Sequence, residues 1–295
     1  VISKLFRWCS KLPLGVLHAF GGMLGWLTYL ASPTYRSRLR ANALQAGVDE
    51  AVWRRAIGHA GRMVAELPRL WLRPAEQPVD PPLRWQGAAL VDAALERGRG
   101  LVLMTPHLGC FEVCAQAYAE RWGGRVPITV LFRPARKAWL REVVDTSRGR
   151  PGLATAPASL VGVRQMIRAL RRGEAVGLLP DQVPPDGMGV WAPFFGRDAY
   201  TMTLAARLIE QTGAQPLLAY GERLPHAAGW QIHVRELSEP LPAGAASDEA
   251  HQVACAAAIN RAMEHLIRQC PQQYLWGYNR YKSPRRPPAA PQDAA

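Results

Sequence analysis

The sequence predicts an α/β fold, with a mixed, largely parallel central sheet flanked by helices and a membrane-associated helix at the N-terminus. Three observations carry that expectation. Short apolar runs bounded by Gly and Pro alternate with longer amphipathic stretches, the pattern of strands and covering helices in α/β proteins. Several of these runs stop abruptly at a polar or charged residue, as strands do when their ends line a site. Residues 12–35 carry no formal charge, whereas Lys4, Arg7 and Lys11 precede them and Arg36, Arg38 and Arg40 follow.

The uncharged segment is long enough for membrane insertion, since about 20 apolar residues span a bilayer. Residues 1–35 are therefore expected to form a membrane anchor; the alternative is a buried N-terminal helix, for which Gly21, Gly22 and Gly25 offer a close-packing face. Residues 36–282 are expected to form the α/β domain, and the Pro- and Ala-rich residues 283–295 a disordered tail. From Tyr35 to Leu72 the pattern is helical, with an apolar stripe through Val52, Ala56, Met63, Val64, Leu67 and Leu70. Pro74, Pro78, Pro81 and Pro82 mark the loop that follows. Beyond it, helices are expected over 88–97, 110–121, 135–146, 160–171, 200–212 and 249–269. Strands are expected over 100–105, 126–132, 175–179, 216–220 and 230–236.

The chain of 295 residues can bury a sizeable core. Its net charge of +13, from 36 Lys+Arg against 23 Asp+Glu, favours acidic partners. The five cysteines (Cys9, Cys110, Cys114, Cys255 and Cys270) are odd in number and include no C-x2-C pair. That excludes a disulfide framework and a zinc ribbon and suits a reducing compartment; no metal or cofactor is expected. No G-x-S-x-G elbow occurs, so a serine hydrolase of that type is unsupported.

The most informative stretch is Gly100–Glu112, where the apolar run Leu101–Thr105 ends at Pro106 and His107, with Glu112 five residues on. On one continuous helix, residues five apart point roughly 140° apart. His107 and Glu112 converge only if His107 lies in the turn and Glu112 in the first helical turn, with Gly109 permitting the bend. Two further strands end in polar residues, one at Phe132-Arg133-Pro134 and the other at Pro180-Asp181-Gln182. Arg133 is a candidate for binding a phosphate or a developing oxyanion, with Arg136, Arg148 and Arg150 close by in sequence. Asp181 and Gln182 are candidates for orienting substrate; alternatively Arg133 and Asp181 pair with each other as a structural bridge. Cys110 and Cys114, one turn apart on an apolar helix, read better as packing residues than as nucleophiles.

With these residues in view, the chain resembles the late acyltransferases of lipid A biosynthesis, of lauroyl/myristoyl type, within the lysophospholipid acyltransferase superfamily. The resemblance rests on Thr105-Pro-His107-Leu-Gly-Cys-Phe-Glu112, Phe132-Arg133-Pro134, Leu179-Pro-Asp181-Gln182, Val190–Gly196 with Tyr200-Thr201, and Pro271–Lys282, in that order. It implies transfer of a fatty acyl chain from an acyl-carrier-protein thioester to a hydroxyl of a phosphorylated glycolipid, at the cytoplasmic face of a bacterial inner membrane. Within that chemistry His107 is the expected general base, Glu112 its orienting acid and Arg133 the oxyanion stabiliser, with no acyl-enzyme. Arg148, Asp181, Gln182, Phe194, Phe195 and Arg280 are the expected substrate contacts, the phenylalanines as walls of an acyl channel or else as core packing, and Arg280 near phosphate or else solvated. The Glu-Gly-Thr-Arg segment of glycerol-phosphate acyltransferases is missing, which argues against lysophosphatidate as acceptor. One alternative is the same fold acting on another lysolipid or an amino-acid lipid. A second is a non-catalytic basic protein that binds membranes or polyanions. No nucleic-acid partner is expected, because aromatic–basic interleaving is confined to the termini.

Overall fold

The computed structural model describes residues 2–132, 150–245 and 248–285. Four helices come first: α1 (Ile2–Cys9), α2 (Leu14–Ala31), α3 (Pro33–Gln45) and α4 (Glu50–Trp71). The next elements are β1 (Arg84–Gln86), α5 (Ala88–Glu96), β2 (Leu101–Met104), α6 (Phe111–Trp122) and β3 (Ile128–Phe132). They are followed by β4 (Leu153–Pro157), α7 (Leu160–Arg171), β5 (Ala175–Leu178), β6 (Gly189–Phe194) and β7 (Arg197–Met202). The chain continues through α8 (Leu204–Thr212), β8 (Gln215–Arg223), β9 (Trp230–Arg235) and α9 (Glu249–Gln269).

Seven strands form one sheet in the order β1-β9-β8-β2-β5-β3-β4, and β6 and β7 form a separate antiparallel hairpin. Pairing is parallel throughout the sheet except between β8 and β9, so the expected mixed, largely parallel architecture is observed. The central strands β2 and β5 are buried at every residue, as parallel strands covered on both faces must be. Side chains alternate between the two faces. Val102 and Met104 join a core with α4, α7, α8 and α9, while Leu101 and Leu103 join one with α5 and α6.

The expected helix over residues 35–72 is two helices. Pro33 and a Ser32 side chain that accepts from the Tyr35 N–H start α3, and a left-handed Gly47 turns the chain into α4. The expected helix 135–146 lies outside the described residues. The strands β1, β4, β6 and β7 had no counterpart in the sequence pattern. β1 has only three residues, and β4 and β6 each contain a proline, which breaks the apolar alternation and suits an edge position. Tyr200–Met202 completes β7 instead of opening a helix, because it is already paired with Gly189–Trp191.

The N-terminal helix α2 is the described helix long and apolar enough to cross a membrane. At about 1.5 Å per residue its 18 residues measure about 27 Å, close to the hydrocarbon thickness. One face of it is committed to the rest of the protein. Leu17, His18, Gly21, Gly22 and Gly25 are buried, and the glycines meet Gly58 and Gly61 of α4 with the two backbones in contact. A Cβ on Gly61 would lie 1.9 Å from the Gly21 carbonyl oxygen, and one on Gly25 would lie 2.2 Å from that of Ile57. The other face carries Val16, Phe20, Met23, Leu24, Trp26, Leu27 and Leu30, all exposed. Of the fourteen exposed large apolar side chains among the described residues, eight lie between Trp8 and Leu30, so the apolar surface is concentrated in one place.

This crossing yields a contrast between neighbouring glycines. Gly61→Ala must push α2 off α4 and should cost about 1–3 kcal/mol, as overpacking does. Gly22→Ala meets only the Arg62 side chain, at 3.6 Å, and should be tolerated. Thermal unfolding of the two variants in the same detergent provides the comparison; equal midpoints would contradict the backbone contact.

Candidate active site

Register builds the site. Strands β2 and β5 are parallel neighbours with Met104 opposite Leu178, and a hydrogen bond of 3.0 Å from the Thr105 N–H to the Leu178 carbonyl extends the ladder one step. Pro106 and Pro180 then occur at matching positions and end the two strands. The next residues are His107 and Asp181, each three beyond a partner in the ladder, so they emerge side by side at the strand C-termini.

The two make a double contact. His107 donates its backbone N–H to Asp181 Oδ2 at 2.9 Å, and its Nδ1 lies 2.7 Å from Asp181 Oδ1. Tyr274, from the segment after α9, donates its hydroxyl to Asp181 Oδ2 at 3.2 Å. Burial alone would raise the Asp181 carboxyl, but the charge and hydrogen bonds of His107 and the nearby Arg280 hold it below the usual carboxylate range. Burial pushes the Tyr274 hydroxyl well upward, reinforced by Asp181, so it stays a neutral donor. An ionised Asp181 accepts from Nδ1–H, which leaves the lone pair on Nε2; that nitrogen faces the Gln182 side-chain amide at 2.9 Å.

The turn that carries His107 is clamped from three sides. Gly109 adopts φ +59°, and a Cβ there would lie 2.0 Å from the Gly221 carbonyl oxygen, so only glycine lets the turn pass against β8. The Cys110 N–H donates to that same carbonyl at 2.7 Å. The Gly109 N–H donates to the Gln273 carbonyl, and the Leu275 N–H to the His107 carbonyl. Beneath the turn, Arg223 donates to the Gly109 carbonyl at 2.7 Å and reaches both oxygens of Glu66, 2.6 Å at the shortest. Glu66 is fully buried and also receives His18 of α2 and Trp230 of β9. Burial would raise its carboxyl, yet Arg223 and the bonds from His18 and Arg223 overcome that and hold it at about 2.

The expected site residues fall into four groups. His107, Asp181 and Gln182 come together as one hydrogen-bonded unit. Glu112 does lie in the first turn of α6, as the spacing requires, but the carboxylate that holds the imidazole is Asp181. Glu112 instead accepts from the Trp71 indole at 3.2 Å. The expected pairing is corrected because Asp181 reaches His107 through strand register, whereas Glu112 sits where α6 meets the end of α4. Arg133, the candidate for the oxyanion or for a bridge to Asp181, and Arg148, a candidate substrate contact, lie outside the described residues.

Arg280, expected near phosphate, is turned inward and buried. It donates to the Tyr200 carbonyl and the Thr201 hydroxyl, both at 2.7 Å, and its guanidinium lies over the Phe194 ring. Phe194 and Phe195 pack edge-on against each other, with Trp276 and Tyr281 adjacent. Phe194 also borders a small cleft with Tyr274, Tyr278, Arg280 and Tyr281. Burial raises the thiols of Cys110 and Cys114, the latter to about 12, so neither is a ready nucleophile. Sequence reasoning missed Tyr274 as a support of Asp181 and Glu66, Arg223 and Gln273 as clamps. It also missed a usable signal: Thr105-Pro106-His107 and Leu179-Pro180-Asp181 end two apolar runs with the same spacing.

A histidine held by a buried carboxylate at adjacent strand ends of an α/β sheet is an arrangement that suits general-base chemistry. The comparisons narrow this class. The model of the bacterial lipid A biosynthesis acyltransferase family matches residues 5–283, and the chain belongs to that family. It is similar to the lipid A biosynthesis palmitoleoyltransferase of Escherichia coli K12, at 28% identity over 204 residues, covering 67% of this chain and 61% of that protein. It is also similar to the lauroyltransferase of the same organism, at 28% identity over 196 residues, covering 65% and 59%. A lipid A biosynthesis acyltransferase of Haemophilus influenzae matches at 23% identity over 190 residues, covering 64% and 56%. The chain thus spans about three fifths of the length of these relatives.

The buried Glu66–Arg223 pair makes a pH-dependent prediction. Unfolded, the Glu66 carboxyl titrates near its ordinary 4.5; folded, it titrates at about 2. Between those values the unfolded chain binds the proton and the folded chain does not, so stability should fall as pH drops through that window. Glu66→Gln should remove this acid-labile component and lower neutral-pH stability by about 3–5 kcal/mol, because Arg223 is left charged and buried. Unfolding midpoints measured from neutral to acid pH would show a flatter profile for the variant.

Proposed function

We propose that this protein transfers a fatty acyl chain from an acyl-carrier-protein thioester to a hydroxyl of a phosphorylated lipid A precursor, with His107 as general base. The observation that carries the reading is the held imidazole: Nδ1 on Asp181, and Nε2 directed away from it toward the Gln182 side-chain amide. Family membership supplies the reaction class.

In this mechanism the acceptor hydroxyl displaces the Gln182 amide from Nε2. Its oxygen attacks the thioester carbonyl as Nε2 takes its proton. Asp181 stabilises the imidazolium, with Tyr274 keeping the carboxylate in place. The tetrahedral intermediate collapses, the C–S bond breaks, and the departing thiolate takes the proton from His107. No acyl-enzyme forms, in keeping with the buried, high-pKa Cys110 and Cys114. Arg133 is assigned to the oxyanion and Arg148 to substrate charge. Glu112, half-buried beside the turn, supports the site through Trp71.

The net charge of +13 complements both an acidic carrier protein and a phosphorylated acceptor. The exposed apolar face of α2 is assigned to a bacterial inner membrane, with the α/β domain on the cytoplasmic side. Residues 1–35 then serve as anchor, 36–282 as the acyltransferase domain and 283–295 as a tail.

The test is acyl transfer by purified protein in detergent, supplied with acyl carrier protein thioester and a lipid A precursor. His107→Ala and Asp181→Asn should each lower the rate on the order of 10²–10⁴-fold without changing the thermal midpoint greatly. Glu112→Gln, by comparison, identifies the dominant carboxylate: if it lowers the rate more than Asp181→Asn does, the assignment of the imidazole partner is reversed. A near-wild-type rate for His107→Ala removes the general-base reading altogether.

A further inference from the structure

At the opposite end of the strands from His107, a second cluster of chemically active side chains is unused by the reaction described above. Strand β8 begins at Gln215, paired with Leu101 at the start of β2, so the last turn of α8 lies where the strands begin. Glu210 projects from that turn. The first two turns of α9 face it with His251 and Cys255, four residues apart and therefore on one side of the helix.

Their donor atoms converge. His251 Nε2 lies 2.7 Å from Glu210 Oε1, Cys255 Sγ lies 3.5 Å from the same oxygen, and Sγ lies 3.6 Å from Nε2. Tetrahedral zinc, with bonds of about 2.3 Å to sulfur and about 2.0–2.1 Å to nitrogen and oxygen, sets donor separations that follow from geometry. Those separations are about 3.5–3.6 Å from sulfur to nitrogen or oxygen, and about 3.3 Å from nitrogen to oxygen. Both sulfur edges of the triangle already have the required lengths; only the His251–Glu210 edge must open, by about 0.6 Å.

Burial suits the same role. The His251 side chain is 5% exposed and Cys255 1%, while Glu210 at 24% reaches solvent, from which a water would supply the fourth ligand. Gly244 lies flat against the His251 ring, where a Cβ would sit 2.4 Å from Nδ1, so the ring is held with Nε2 toward the other two donors. The donor set of thiolate, imidazole and carboxylate is that of a borderline-soft divalent ion, not of calcium or magnesium.

We propose that Glu210, His251 and Cys255 form a binding site for a zinc-class divalent metal ion that ties α8 to the start of α9. Binding forms one metal–sulfur, one metal–nitrogen and one metal–oxygen bond. The thiol proton leaves to solvent, and the imidazole proton shared with Glu210 moves to Nδ1. The ion's role is structural. The far end of α9 leads into Gln273 and Tyr274, which hold the His107 turn and Asp181, so anchoring α9 also steadies the catalytic edge.

The experiment uses the full chain without a purification tag, stripped with a chelator and titrated with Zn²⁺ or Co²⁺ alone. One equivalent should bind, Co²⁺ should give a thiolate charge-transfer band in the near ultraviolet, and Zn²⁺ should raise the thermal midpoint. Cys255→Ser should abolish the band, whereas substitution of the exposed His265 to Gln should leave it intact. Glu210→Gln, at the solvent edge and able to keep its hydrogen bond to His251, should fold normally. It should weaken Zn²⁺ by at least the roughly tenfold that loss of an outer-shell partner costs. Absence of the cobalt–thiolate band in the folded wild-type chain, its persistence in Cys255→Ser, or unchanged affinity in Glu210→Gln overturns the proposal. The readouts are spectroscopic and thermal, so the outcome is independent of which substrate the enzyme acylates.

Discussion

One buried ion pair underlies the arrangement of the whole catalytic edge. Glu66 of α4 and Arg223 at the end of β8 share three contacts of 3.0 Å or less, with both side chains sealed from solvent. Two charges in such a place are costly to desolvate, and the cost is offset only where every remaining donor and acceptor is matched. Here the matching partners come from elsewhere: His18 from α2, Trp230 from β9, Gln273 from the segment after α9, and the Gly109 carbonyl from the catalytic turn. Satisfying the pair therefore fixes four parts of the chain relative to one another. The position of His107 is a consequence of that closure as much as of its own strand.

The same network links the apolar N-terminal helix to the site. A helix that only anchored the protein would have no need to present a histidine to a buried carboxylate or to press three glycines against a neighbour. Helix α2 does both, so its inward face belongs to the fold while its outward apolar face is exposed. With its inner face occupied by α4, the helix is held at a defined position relative to His107.

The catalytic unit is built from parallel register and little else. His107 and Asp181 are 74 residues apart in the chain, yet each is three residues past a ladder pair and immediately after a proline. Backbone pairing holds their separation more firmly than two flexible side chains on one helix could. This explains why Asp181, and not the nearer-in-sequence Glu112, meets the imidazole. Tyr274 and Gln182 then complete the hydrogen bonding of the pair on its remaining sides.

By itself the sequence determined the class of the fold, the apolar N-terminal helix, the strand before His107 and the placement of Glu112 in the first turn of the following helix. These depend on local periodicity, on glycine and proline, and on charge, all of which act over a few residues. It also pointed to Asp181 and Gln182 as a polar strand end. Tertiary structure alone decided which carboxylate meets His107, that Arg280 faces inward, that β4 and the β6–β7 hairpin exist, and that Glu66 and Arg223 lie beneath the site. Each of those depends on which strands become neighbours and in what register. Pairing of that kind is set by long-range burial and by matching buried polar groups, and the sequence marks it only by the matching Pro-His and Pro-Asp ends of two distant apolar runs.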